Sequence, residues 1–294
     1  MTGANKVLAS VLTATSAPHE AEQILWELQG RGVSPKVVYV DDECCGAWPG
    51  IVSRVWPGCC VRLDALHALM RLTKTTASTQ HPWHGQFCGM LSDALFTYDR
   101  RVLERIHRAM ARQRCAKNLT KNQKCKYVPR SIQDAPGIAC SIEEVIAKFK
   151  EQAHSDMGVL VTASTDTEWN NLRTHVLKGC VCDPPGVDLN SYGENEPLLL
   201  GGEAFYPIRK QRGTSSLEGY HSHQKRWLGS LGTHAPEAGL ALLTDGNLRW
   251  NRQRSNESLP EEEQTPPVFA PGLLQEVQHL QRRRSGSNVN PDLP

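Results

Sequence analysis

No run in this sequence approaches the roughly 18 consecutive apolar residues of a membrane-spanning helix, which speaks against a membrane protein. A strong charge of either sign is missing too. The formal net charge is +2, so bulk electrostatics names no partner and only the distribution of charge can. A regular cysteine framework is also lacking: the 10 cysteines include the adjacent pairs Cys44-Cys45 and Cys59-Cys60 but no repeated spacing. In a chain of 294 residues, long enough for a well-buried core, that pattern points to reduced thiols and an intracellular setting. A secretory leader is not evident either. Residues 6–17 have a short apolar centre broken by Ser10 and Thr13, and they read as a strand. No internal repeat is present.

What is there reads as an α/β protein. Strands are expected at 6–15, 36–40 and 60–63, where β-branched and apolar residues run together. Helices are expected at 18–30, 51–56 and 65–73, the first with Ile24, Leu25 and Leu28 on one face. Alternation of this kind is the pattern of a layered α/β domain. Residues 83–114 then read as helical throughout. Further helices are expected at 141–153, with Ser141 and Glu144 as a capping box, and at 168–177. Residues 179–202 are rich in Gly, Pro and Asn and read as loop. Two closing helices are expected at 214–228 and 235–254. From Ser255 the chain turns polar, acidic and proline-bearing, the composition of a disordered tail, with a short helix at 273–284.

Four features carry candidate chemistry. Val37-Val38-Tyr39-Val40 runs directly into Asp41-Asp42-Glu43, and acids at a strand end are how α/β folds present carboxylates at a ligand-binding edge. Asp64 and His67 follow the next strand at i and i+3, so they share the first turn of a helix; Asp64 also suits a plain N-cap. Glu218, His221 and Lys225 fall near one face of the helix at 214–228. Residues 100–130 hold eleven Lys or Arg and one acid, and Arg101, Arg105, Arg108 and Arg112 form a stripe suited to phosphate. An exposed turn accounts for the first as well, plain capping for the second, and a solvated helix face for the last two. Cys180-x-Cys182 with the two adjacent pairs invites zinc, but the spacing differs from the usual knuckle, which favours small buried hydrophobes instead.

Taken together the segments resemble a transposon-derived DDE-type transposase with a ribonuclease-H-like nuclease domain. The likeness is carried by Tyr39-Val40-Asp41-Asp42-Glu43-Cys44-Cys45, by the stretch from Val61 to His67, and by the stretch from Lys178 to Gly186. It continues through the stretch from Arg212 to His221 and Leu248-Arg249-Trp250-Asn251, covering roughly residues 6 to 254. The resemblance implies an incomplete ribonuclease-H-like core over 1–73, a mainly helical insertion over 74–210, core helices over 211–254 and a tail over 255–294. It implies catalytic roles for Asp41, Asp64, His67 and Glu218, with Asp41 and Glu218 holding Mg²⁺ or Mn²⁺. DNA would meet Arg101, Arg105, Arg108, Arg112, Lys225 and Arg226, and the expected location is the nucleus, with Arg282-Arg283-Arg284 in support. Oligomeric state is left open. One departure matters: the family's first acid has no counterpart before Lys6, and the acids preceding Asp41 are Glu20, Glu22 and Glu27. That implies an N-terminally truncated or inactive relative. The rival expectation is a protein-interaction module without DNA contact.

Overall fold

The structure, a computed structural model, describes residues 6–13, 15, 17–113, 119–193, 196–213, 215–228, 235–257, 259 and 263–265. The chain divides into two compact units, Thr13–Ser215 and a second made of Met1–Leu12 with Ser216–Pro294.

The first unit opens with a 3-10 turn at Pro18–Ala21 and α1 (Glu22–Gly30), then β1 (Val37–Val40), α2 (Ala47–Val55), β2 (Cys60–Leu63) and α3 (Ala65–Lys74). The strands pair in parallel, from Val37 opposite Cys60 to Val40 opposite Leu63. Helix α2 starts earlier than its sequence suggests because Pro49 falls in the first turn, where no intrahelical N–H is needed.

The stretch expected to be helical throughout is broken. It holds α4 (His84–Leu95), β3 (Phe96–Tyr98) and α5 (Arg100–Arg112). Phe-Thr-Tyr favours a strand, and the Asp99 carboxylate accepts from the amides of Arg101 and Val102 to start α5 afresh. After α6 (Lys121–Tyr127), β4 (Arg130–Ile132) pairs with β3. Helix α7 (Ala135–Lys150) begins at Asp134, whose side chain accepts from the Gly137 amide. Ser141 therefore lies within the helix, and the capping box expected there does not form. A short hairpin of β5 (Ala153–His154) and β6 (Gly158–Val159) leads to α8 (Ala163–Leu177), which Thr162 caps. The expected loop at 179–202 carries β7 (Asn190–Tyr192) and β8 (Leu198–Leu200). These pair with β10 (Ile208–Lys210) and β9 (Glu203–Phe205).

The chain is thus mixed α/β, and among the described residues β1–β2 is the only parallel pair. Its main core joins β2 to α3, α4, α7 and α8 through Leu63, Leu72, Phe87, Ile138, Phe149 and Leu172. Phe87 and Phe149 meet edge to face at 5.3 Å.

The second unit packs α9 (Ser215–Leu228), apart from its first residue, with α10 (Pro236–Asn256). Tyr220 lies between Trp227 and Trp250, and Gly246 leaves room for the Trp227 ring. Residues 6–13 form no ladder, against the expected strand. Instead the Asn251 amide holds Val7 as a strand partner would: Oδ1 accepts from its N–H and Nδ2 donates to its carbonyl, both at 2.7 Å. Among the described residues no helix is long and apolar enough to cross a membrane. Most of the expected tail, including its helix at 273–284 and Arg282-Arg283-Arg284, lies outside the described residues.

Candidate functional site

Two clusters flank the C-terminal edge of β1 and β2. The first is acidic. Asp41 directly follows β1 and Asp64 directly follows β2, so the parallel register carries both carboxylates to the same end of the pair. Asp64 is 1% exposed and caps α3, its Oδ1 accepting from the His67 amide at 2.8 Å. The His67 ring turns back over the same carboxylate, with Nδ1 3.0 Å from Asp64 Oδ1 and 3.2 Å from Asp41 Oδ1. A ring nitrogen set between two carboxylate oxygens carries its hydrogen, so Nδ1 is the donor to both. Capping and a polar role therefore coexist at Asp64.

The segment before α9 covers this edge. Gly213 adopts φ +76, and a Cβ there would lie 2.4 Å from Asp64 Oδ2, so only glycine fits beside the buried carboxylate. The neighbouring Arg212 guanidinium grips Asp183 with two hydrogen bonds of 2.6 and 2.7 Å, and Asp183 also accepts from the Ile132 amide. Tyr39 lies in the same region; burial, reinforced by Asp183, pushes its hydroxyl up to about 12. From α3, Arg71 donates to the Asp41 carbonyl at 3.2 Å.

The second cluster is of sulfur and nitrogen. Cys44 Sγ lies 3.2 Å from His175 Nδ1, Cys45 Sγ lies 3.1 Å from Cys180 Sγ, and the adjacent sulfurs of Cys44 and Cys45 are 4.0 Å apart. All four donor atoms fall within 4.8 Å of one another, the only such group of His, Cys, Asp or Glu among the described residues. The Cys180 thiol beside Cys44 holds Cys44 below its ordinary value, while Cys180 itself is raised. Burial, aided by Arg71 and Lys178, lowers the His175 imidazole below its ordinary value. Of the cysteines expected as small buried hydrophobes, Cys44 and Cys180 are buried in the core, whereas Cys45 is exposed with its sulfur turned toward the other two.

Two backbone devices build this cluster. Glu43, at φ 49, is the one non-glycine residue with positive φ among the described residues, and it sits in the turn closed by Gly46 N–H to Glu43 O at 2.8 Å. That turn presents Cys44 and Cys45 together. Helix α8 ends in a Schellman motif: Cys180 N–H donates to His175 O and Gly179 N–H to Val176 O, with Gly179 at φ +74. The motif folds Cys180 back toward His175. The sequence signal for the second device is the Gly179-Cys180 step directly after a helix.

The remaining expected residues lie elsewhere. Arg101, Arg105, Arg108 and Arg112 all sit exposed on α5, as a stripe. Arg105 and Arg112, however, both pair with Glu203 on β9 and hold its carboxyl below the usual range. Glu218 and His221 are half-buried on α9, and Lys225 and Arg226 are exposed near its end. These four belong to the second unit, whereas Asp41, Asp64 and His67 belong to the first.

No family model, curated protein or solved structure matches this chain.

Proposed function

We propose that this chain is a transposase-derived, nucleic-acid-associated protein of the DDE, ribonuclease-H-like type, which does not cleave DNA on its own. The observation that carries the reading is the acidic edge, where Asp41 and Asp64 end two paired parallel strands and share one imidazole. Carboxylates at the C-terminal ends of adjacent strands are where α/β sheets bind ligands. A single Mg²⁺ or Mn²⁺ is commonly held by one or two carboxylates, with water and phosphate completing the shell. Asp41 and Asp64 offer two carboxylates at one strand edge. A two-ion hydrolytic centre asks for more oxygen ligands than these two carboxylates supply. The exposed arginines of α5 supply sequence-independent attraction for a phosphate backbone.

The test is binding of a fluorescent DNA duplex by the full chain across a salt series, with and without Mn²⁺. The reading expects affinity to fall linearly with salt on a logarithmic plot, and Mn²⁺ to tighten binding in the wild type but not in Asp41→Ala. Absence of duplex binding together with salt-insensitive self-association would replace it with a protein-interaction module. Nuclear location follows only from the DNA reading.

A further inference from the structure

We propose that Cys44, Cys45, His175 and Cys180 form a closed, four-coordinate zinc site that clamps the turn after β1 to the end of α8. The donor set decides the metal class. Three thiols and an imidazole are soft and borderline ligands, which favour zinc over the hard ions suited to carboxylates.

The geometry agrees. Tetrahedral zinc with Zn–S near 2.3 Å and Zn–N near 2.0 Å implies edges of about 3.8 Å between sulfurs and about 3.5 Å from sulfur to nitrogen. The observed separations of 3.1, 3.2 and 4.0 Å, within an overall span of 4.8 Å, bracket those edges. A disulfide between Cys45 and Cys180 would require their sulfurs to close from 3.1 Å to about 2.05 Å.

The surroundings suit a metal as well. Zinc binding displaces the three thiol protons to solvent and leaves a site of net charge −1. Arg71, which bonds the Asp41 carbonyl, and Lys178, two residues before Cys180, would offset that charge. Coordination through His175 Nδ1 fixes the tautomer with hydrogen on Nε2. Four protein ligands leave no open position, so the site is structural and not catalytic.

Its consequence is local order at long range. The ligands join segments 131 and 135 residues apart in the chain, and the clamped turn follows Asp41 and Asp42 directly. Metal-binding free energy of this kind becomes folding free energy.

The experiment measures zinc per chain by elemental analysis of the full-length protein, prepared under reducing conditions, and the visible spectrum after Co²⁺ exchange. The expected result is about one zinc per chain and the intense absorption of tetrahedral thiolate-bound cobalt. Cys45→Ser alters an exposed residue and leaves three ligands, so it should keep the fold and weaken metal affinity at least about tenfold. Cys140→Ser, outside the cluster, should change neither readout. A wild-type chain that folds without metal and gives no tetrahedral cobalt spectrum overturns the proposal. So does a Cys45–Cys180 disulfide, mapped by mass spectrometry, in metal-free protein. Both readouts are independent of DNA and of Mn²⁺, so they fail or succeed separately from the nucleic-acid reading.

Discussion

Gly213→Ala should destabilise the first unit by more than the backbone conformation alone explains. At φ +76 an alanine pays the left-handed cost of about 1–2 kcal/mol. Its Cβ would also meet Asp64 Oδ2 at 2.4 Å, and Asp64 is 1% exposed and held by the α3 cap. Pushing that carboxylate aside breaks the cap on α3, worth about 1 kcal/mol. Gly186→Ala is the matched control: φ is +72 and nothing lies within 4 Å of its Cβ. Both variants share the backbone cost and the same small gain from a stiffer unfolded chain, so their difference isolates the Asp64 clash. That difference should be about 1 kcal/mol, or about 0.5 M in urea midpoint for a slope near 2 kcal/mol/M. Fluorescence of Trp26, Trp48, Trp56, Trp83 and Trp169 reports on this unit. Equal midpoints for the two variants would refute the packing of Gly213 on Asp64.

Other substitutions probe separate parts of the account. The buried Tyr39 hydroxyl has no hydrogen-bond partner among the described residues, so Tyr39→Phe should stabilise the fold by about 1 kcal/mol in thermal denaturation; a loss would reveal a partner. Glu203 holds Arg105 and Arg112, so Glu203→Gln should tighten duplex binding at low salt and steepen the logarithmic salt slope by about 1–2. An unchanged slope would remove α5 from the DNA surface. In the second unit, a Cβ on Gly246 would lie 2.1 Å from the Trp227 ring. Gly246→Ala should therefore cost about 1–3 kcal/mol in overpacking against a gain of at most about 1 in helix propensity. Near-ultraviolet circular dichroism should register the displaced indole, and an unaltered signal would contradict the contact.

Part of this structure was legible in the sequence. Strands β1 and β2 and helix α3 stand out because short β-branched runs end in polar residues that stop one element and cap the next. The acids at the strand ends follow from the same pattern. What their positions could not convey is that one imidazole joins both, because that depends on the parallel register. Residues 84–112 mislead for a local reason: Leu95, Val102, Leu103 and Ile106 keep a helical spacing across Phe96-Thr97-Tyr98, whose partners in β4, Ile132, Ser131 and Arg130, lie far along the chain. Ser141 misled because Asp134, with Pro136 and Gly137 behind it, is the stronger start. The thiol cluster was hidden by distance, since its ligands come from a turn and from a helix end far apart in the chain. Spacing rules built on local knuckles do not see such a site.

The most direct test of the acidic edge is Mn²⁺ binding by the purified, zinc-replete full chain, measured by calorimetry beside Asp41→Ala and Asp64→Asn. Asn remains a good N-cap, so Asp64→Asn removes the charge and keeps α3. The wild type should bind Mn²⁺ at a site that weakens at least about tenfold (about 1.4 kcal/mol) in each variant. Mn²⁺ binding that is absent, or indifferent to both substitutions, would contradict it.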